Sequence, residues 1–117
     1  MLPCFIFSAP DGQQYQFKLP TREQIQLVKA SGCGIIEGMG KFQTGDYQEF
    51  MINLLHISAQ KFQHGFTRES AIDLMDLLAE NGYDFTKLMK LASDILEASG
   101  FFPKELASMV TEAVGEA

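Results

Sequence analysis

Along residues 13–19 apolar and polar positions alternate, with Tyr15, Phe17 and Leu19 set against Gln14, Gln16 and Lys18. A period of two gives a strand one buried and one wet face. Phe5-Ile6-Phe7 is a second β-prone run, and Ala9-Pro10-Asp11-Gly12 between the two is a turn signal. The first 20 residues therefore predict a β-hairpin. In its first strand Phe5 and Phe7 point one way and Ile6 the other, so both faces are apolar. A lone two-stranded hairpin is marginal in water, which requires this one to pack on helices or on another subunit.

After Pro20 the apolar spacing changes to three and four. Thr21-x-x-Gln24 has the form of a capping box, Ile25, Leu27 and Val28 form a short stripe, and Gly32 ends a helix over 21–31. Five of the ten glycines fall between positions 32 and 45, a composition costly to order, and this stretch reads as a flexible Gly-rich loop. Asp46-x-x-Glu49 repeats the box pattern and opens a helix to about residue 63, with Tyr47, Phe50, Met51, Leu54, Leu55, Ser58 and Phe62 on one side. Thr67 caps the next helix, whose inward residues are Ala71, Leu74, Met75 and Leu78, and Asn81-Gly82 stops it. Asp84 caps a further one, with Phe85, Leu88, Ala92, Ile95 and Leu96 inward, closed by Gly100. Phe101-Phe102-Pro103 leads into a last helix striped by Leu106, Met109, Val110 and Ala113. The expected class is α+β, mainly α: a hairpin (1–20), a helix (21–31), a loop (32–45) and a helical bundle (46–117), with four or five amphipathic helices packed on the hairpin.

A length of 117 residues suits one domain able to bury its own core. The net charge of −6 is unevenly spread: +1 over residues 1–45, −4 over 46–81 and −3 over 82–117. Acidic helices repel phosphate backbones, so nucleic acid is excluded as a partner. No run approaches the ~20 apolar residues of a membrane helix. Met1-Leu2-Pro3-Cys4 lacks the basic start of a secretory signal. Cytoplasmic residence is expected, with Cys4 and Cys33 as free thiols.

The glycine-rich stretch does not match a phosphate loop, because Ile35 stands where the first glycine belongs and Phe42 where the hydroxyl belongs. The dinucleotide fingerprint fails at Glu37. His56, His64, Cys4 and Cys33 are too scattered for metal ligation. No nucleophile elbow is present, and Asp73, Asp76 and Glu80 lie opposite an apolar stripe, as on a solvated acidic face. The expectation is a protein that is not an enzyme, with no catalytic, cofactor-binding or metal-binding residues. The mild excess is aromatic: ten Phe and no Trp, with Phe5, Phe7 and Phe17 in the hairpin and Phe101 and Phe102 in a connector. Apolar surface beyond what one small core covers marks a contact site. Phe5, Ile6, Phe7, Tyr15, Phe17, Phe101 and Phe102 are the candidate protein-interaction residues.

A hairpin turning through Pro10-Asp11-Gly12 and ending Phe17-Lys18-Leu19-Pro20 is followed by a Thr21-Arg22-Glu23 helix start, then the helices beginning at Asp46 and Thr67 and a closing helical pair. In the order and style of its elements, over the whole chain, this resembles the phage tail assembly chaperones. The resemblance implies a non-catalytic protein of the host cytoplasm that binds the tape measure protein, shielding its long apolar helices during tail morphogenesis; self-association into a homo-oligomer fits the same role. Two other readings stay open at this point. One is a structural tail or head–tail completion protein or another small helical interaction domain, and the other is a small enzyme or ligand-binding domain using the glycine-rich stretch.

Overall fold

The computed structural model describes residues 4–100. Its two strands, β1 (Phe5–Ser8) and β2 (Gln14–Phe17), pair antiparallel with Phe5 opposite Phe17 and Phe7 opposite Tyr15. Directly opposed residues share a face, so these four aromatics line one side of the ribbon. That side turns inward: Phe7, Tyr15 and Phe17 are buried, Phe5 partly so. The turn forms as its residues dictate. Gly12, at φ 89°, donates its N–H to the Ala9 carbonyl at 2.9 Å, and the Asp11 carboxylate accepts from the Gln13 N–H at 3.0 Å.

Among the described residues five helices follow: α1 (Thr21–Ser31), α2 (Ile35–Thr44), α3 (Gln48–Ser58), α4 (Arg68–Glu80) and α5 (Phe85–Ala98). The hairpin-then-helices architecture is therefore the α+β, mainly α arrangement expected from the pattern. Its membership differs in one place, because residues 32–45 are not a loop. Ile35, Met39 and Phe42, spaced four and three apart, are buried on one side of α2. The glycines act at set points instead of loosening the chain. Gly34 is the extended N-cap, and Gly45, in the left-handed region at φ 84°, closes the last turn on the Lys41 carbonyl. Gly38 admits the ring of Phe50 from α3 so closely that a Cβ there would overlap it, with Cγ only 2.8 Å away. The helix placed after Pro103 lies outside the described residues.

Two of the expected caps form and two do not. The Thr67 hydroxyl accepts from the Ser70 N–H while the Ser70 hydroxyl accepts from the Thr67 N–H, both at 3.1 Å. The Asp84 carboxylate accepts from the Lys87 N–H at 3.1 Å. Such caps stabilise a helix by about 1 kcal/mol each. At α1, by contrast, Pro20 is the N-cap and Thr21 already lies inside the helix, while the Gln24 amide turns back to the Leu19 carbonyl at 3.0 Å. At α3 the N-cap is Tyr47, and the Asp46 carboxylate accepts instead from the Thr44 hydroxyl. That hydrogen bond to the charged form holds the Asp46 carboxyl below its ordinary value.

α3 is the central helix, buried on almost every side along Phe50, Met51, Asn53, Leu54, Leu55, Ile57 and Ser58. A helix apolar all round must be enclosed, and α1, α4 and α5 all pack against it. It stops at Ser58, earlier than the sequence pattern suggests, and Ala59 to Gln63 turn toward the hairpin, where the Gln63 side-chain oxygen accepts from the Gln16 N–H at 3.3 Å. Two buried serines complete the docking. Past the end of β2, the Lys18 N–H donates to the Ser58 carbonyl at 2.7 Å and the Leu19 N–H to the Ser99 hydroxyl at 3.2 Å. The strand thus ends where two helix C-termini take over its backbone donors.

Candidate functional site

α1 has two apolar faces. Leu27 is its one fully buried residue, facing the core, whereas Ile25 and Val28 lie on the other side. At 100° per residue Ile25 and Val28 are neighbours and Leu27 is turned well away from both. The expected single stripe of Ile25, Leu27 and Val28 is therefore split, and Ile25 (53% exposed) and Val28 (38%) face solvent. Together with Ile35 at the start of α2 they line a shallow groove of about 380 Å³, edged by Thr21, Gln24 and Lys29. Ile36, 61% exposed, extends the aliphatic surface onto α2. Arg22, three residues before Ile25, and Lys29, four after it, place cations on the same side of α1.

Two other concavities flank the hairpin. One, about 270 Å³, lies between β1 and α5 and is lined by Phe5, Phe7, Tyr83, Lys87, Lys90 and Asp94. Phe7 meets the Tyr83 ring edge-on at 6.3 Å, the Lys87 ammonium sits 5.6 Å from that ring's centre, and Lys90 pairs with Asp94 at 3.0 Å. These contacts satisfy one another and leave little for a ligand. The other, about 470 Å³, opens between the hairpin turn and α4, with Asp11, Tyr15, His64, Phe66 and Asp73 among its walls. Burial, and next the negative charge of Asp11, push the Tyr15 hydroxyl above its ordinary value, which keeps it protonated in neutral solution. It offers no nucleophile.

The candidate interaction residues fare differently from one another. Phe7, Tyr15 and Phe17 belong to the core, with Tyr15 stacked on Phe17 at 6.1 Å and edge-on to Phe66 at 5.8 Å. Phe5 is partly buried against the same core. Only Ile6, paired with Gln16 on the outer face, is well exposed, at 56%. The hairpin's aromatic surplus is thus absorbed by the helices. Phe101 and Phe102 lie outside the described residues. What sequence reasoning missed is the α1–α2 groove, and the available signal was the angular split between Leu27 and the Ile25–Val28 pair.

Asp73, Asp76 and Glu80 are exposed on α4, His64 is exposed and His56 partly so. Among the described residues no cluster of three or more His, Cys, Asp or Glu side chains could hold a metal ion, and Cys4 and Cys33 are both unpaired thiols. No described helix is long and apolar enough to cross a membrane. Comparison with family models, with curated proteins and with solved structures finds no match to this chain.

Proposed function

We propose that this chain is a non-catalytic binding protein that seats an amphipathic helix of a client across α1 and α2, and that it serves as a phage tail assembly chaperone whose client is the tape measure protein. The observation that carries the reading is the aliphatic groove of Ile25, Val28 and Ile35, extended by Ile36, left open on the surface of a protein with net charge −6. Grooves of this kind receive the apolar face of a helix read at three- and four-residue spacing. Covering a half-exposed aliphatic side chain is worth on the order of 1 kcal/mol. Arg22 and Lys29 favour a client helix with carboxylates along its margin. The acidic remainder of the body keeps such a complex soluble, because net charge opposes association between copies. The identity of the client comes from the resemblance in element order, and the groove supplies the physical means.

Co-expression with a fragment of a tape measure protein is the test. A soluble complex is expected, together with its loss when Ile25 and Ile36 are both changed to Asp. An insoluble fragment and no co-eluting complex would sink the reading. Presence of the chain in purified tails would replace it with a structural subunit.

A further inference from the structure

We propose that the cleft between the hairpin turn and α4 binds a guanidinium group, the arginine side chain of a partner polypeptide. The cleft shares no residue with the α1–α2 groove, so neither site depends on the other.

Its walls carry negative charge without an internal counterion. Asp11 enters from the hairpin turn and Asp73 from α4, while no lysine or arginine lines the cleft. The ion pairs among the described residues are Arg68 with Glu49 and Lys90 with Asp94, which leaves both of these carboxylates unmatched there. Arg68, the first residue of α4, is held on α3 by Glu49 at 2.6 Å and Asn53 at 2.9 Å. His64, an exposed residue of the lining, is its one side chain able to carry a positive charge. The other two concavities hold cations of their own, Lys29 in one and Lys87 and Lys90 in the other.

Tyr15 points to a ligand independently of the carboxylates. It is 7% exposed and lines the cleft, yet its hydroxyl has no hydrogen-bond partner among the described residues. A buried phenol ordinarily finds one. The negative charge of Asp11 acts on that hydroxyl, which sets the phenolic oxygen toward the acidic side of the cleft. A protonated phenol keeps a lone pair that accepts an N–H. Neighbouring polar atoms are already engaged: the Ser70 hydroxyl caps α4, the Gln63 side-chain oxygen accepts from Gln16, and one Asp11 oxygen accepts from Gln13. The second Asp11 oxygen, the Asp73 carboxylate and the Tyr15 hydroxyl stay open, and all three accept hydrogen bonds.

The spread of these acceptors selects the cation. Asp11, His64 and Asp73 do not converge as ligands of one metal ion, whereas a guanidinium reaches separate acceptors with five N–H donors in a planar fork. Phe66, edge-on to Tyr15 at 5.8 Å, gives the cleft an aromatic wall on which that plane can lie. At about 470 Å³ the cleft takes a whole arginine side chain while the backbone bearing it stays outside.

The test is a titration of the full chain, in neutral buffer, with N-acetylarginine amide, followed through backbone amide chemical shifts. Shifts are expected at Gln13, Tyr15, His64, Gly65 and Ser70, with a Kd on the order of 1 mM, as suits one small ligand. Asp11→Asn with Asp73→Asn keeps an acceptor oxygen in the turn, removes both charges and should weaken binding roughly tenfold. Tyr15→Phe keeps the core ring and should weaken it roughly threefold. Unchanged far-ultraviolet dichroism verifies the fold of each variant. No shift at these residues, or equal affinity in the double variant, would overturn the proposal. N-acetyllysine amide should bind more weakly; equal affinity would overturn the choice of guanidinium. An alanine-based peptide with one central arginine should bind at least as tightly as the amide. Exclusion of that peptide while the amide binds would overturn the polypeptide partner in favour of a free small molecule.

Discussion

Changing Gly38 to Ala adds one methyl group on α2 where the Phe50 ring of α3 packs against it. The added Cβ would overlap the Phe50 ring, and even Cγ would be 2.8 Å away. Phe50 is 2% exposed within the hydrophobic core of the described residues, so the ring cannot swing into solvent. Either it leaves its rotamer or the two helices separate, and overpacking of this kind costs about 1–3 kcal/mol. Against that, Ala in a helix interior is favoured over Gly by ~1 kcal/mol. The net is a loss of up to about 2 kcal/mol, equivalent in urea to a midpoint lowered by on the order of 1 M. Gly40 is the internal control. It lies in the same helix, and a Cβ added there would meet nothing within 4 Å, so Gly40→Ala should gain up to ~1 kcal/mol and raise the midpoint. Urea titrations followed by dichroism at 222 nm measure both. Equal stabilisation of the two variants would refute the close seat for Phe50. Unchanged midpoints in both would refute α2 itself, because that is the behaviour of a loop over residues 32–45.

Three further outcomes follow from the hydrogen-bonding groups. At the C-cap of α5, Ser99→Ala strips the buried Leu19 N–H of its acceptor and should cost about 1–3 kcal/mol; within α5, Ser93→Ala removes a buried hydroxyl that has no partner and should be neutral or stabilising, and thermal melts of the pair should move in opposite directions or differ clearly in size. Asn53, 5% exposed, donates to the Ser31 hydroxyl at 3.4 Å and accepts from Arg68 at 2.9 Å, so Asn53→Ala should lose about 1–3 kcal/mol in urea titrations. Glu49→Gln, at the exposed far end of the same arginine, should change stability by less than about 1 kcal/mol. Because the folded Asp46 carboxyl titrates below its ordinary value of 3.8, its contribution is present above that value and disappears as pH falls through the folded one. Asp46→Asn should therefore differ from the parent in melting temperature at neutral pH and converge with it in strong acid; a gap independent of pH would contradict this.

Local chemistry explains which features can be read in advance. Thr67 and Asp84 cap their helices because the groups they bind lie three residues away, at Ser70 and Lys87. Thr21-x-x-Gln24 and Asp46-x-x-Glu49 have the same local form, yet nearby competitors intervene: the Leu19 carbonyl takes the Gln24 amide and the Thr44 hydroxyl takes Asp46. α2 is hidden because five glycines over 32–45 look like disorder until the 35, 39, 42 spacing is weighed beside them. The reason for Gly38 resides in Phe50, on another helix, and no window of a single chain displays that. The groove escapes the sequence for a related reason. The side of α1 that meets α3 is decided by a partner helix, and Ile25 and Val28 look as fit for the interior as Leu27.

The bond from Leu19 to Ser99 joins residues 80 apart in sequence, and this imposes an order on synthesis. A ribosome adds ~5–20 residues per second, so Leu19 is made roughly 4–16 s before Ser99, the residue that fastens the hairpin's end, exists. Through that interval Phe7, Tyr15 and Phe17 have no α5 and no closing hydroxyl to cover them. The earliest-made element is therefore held first through Ser58, Gln63 and Phe66, and its end is fastened only when residue 99 has been made.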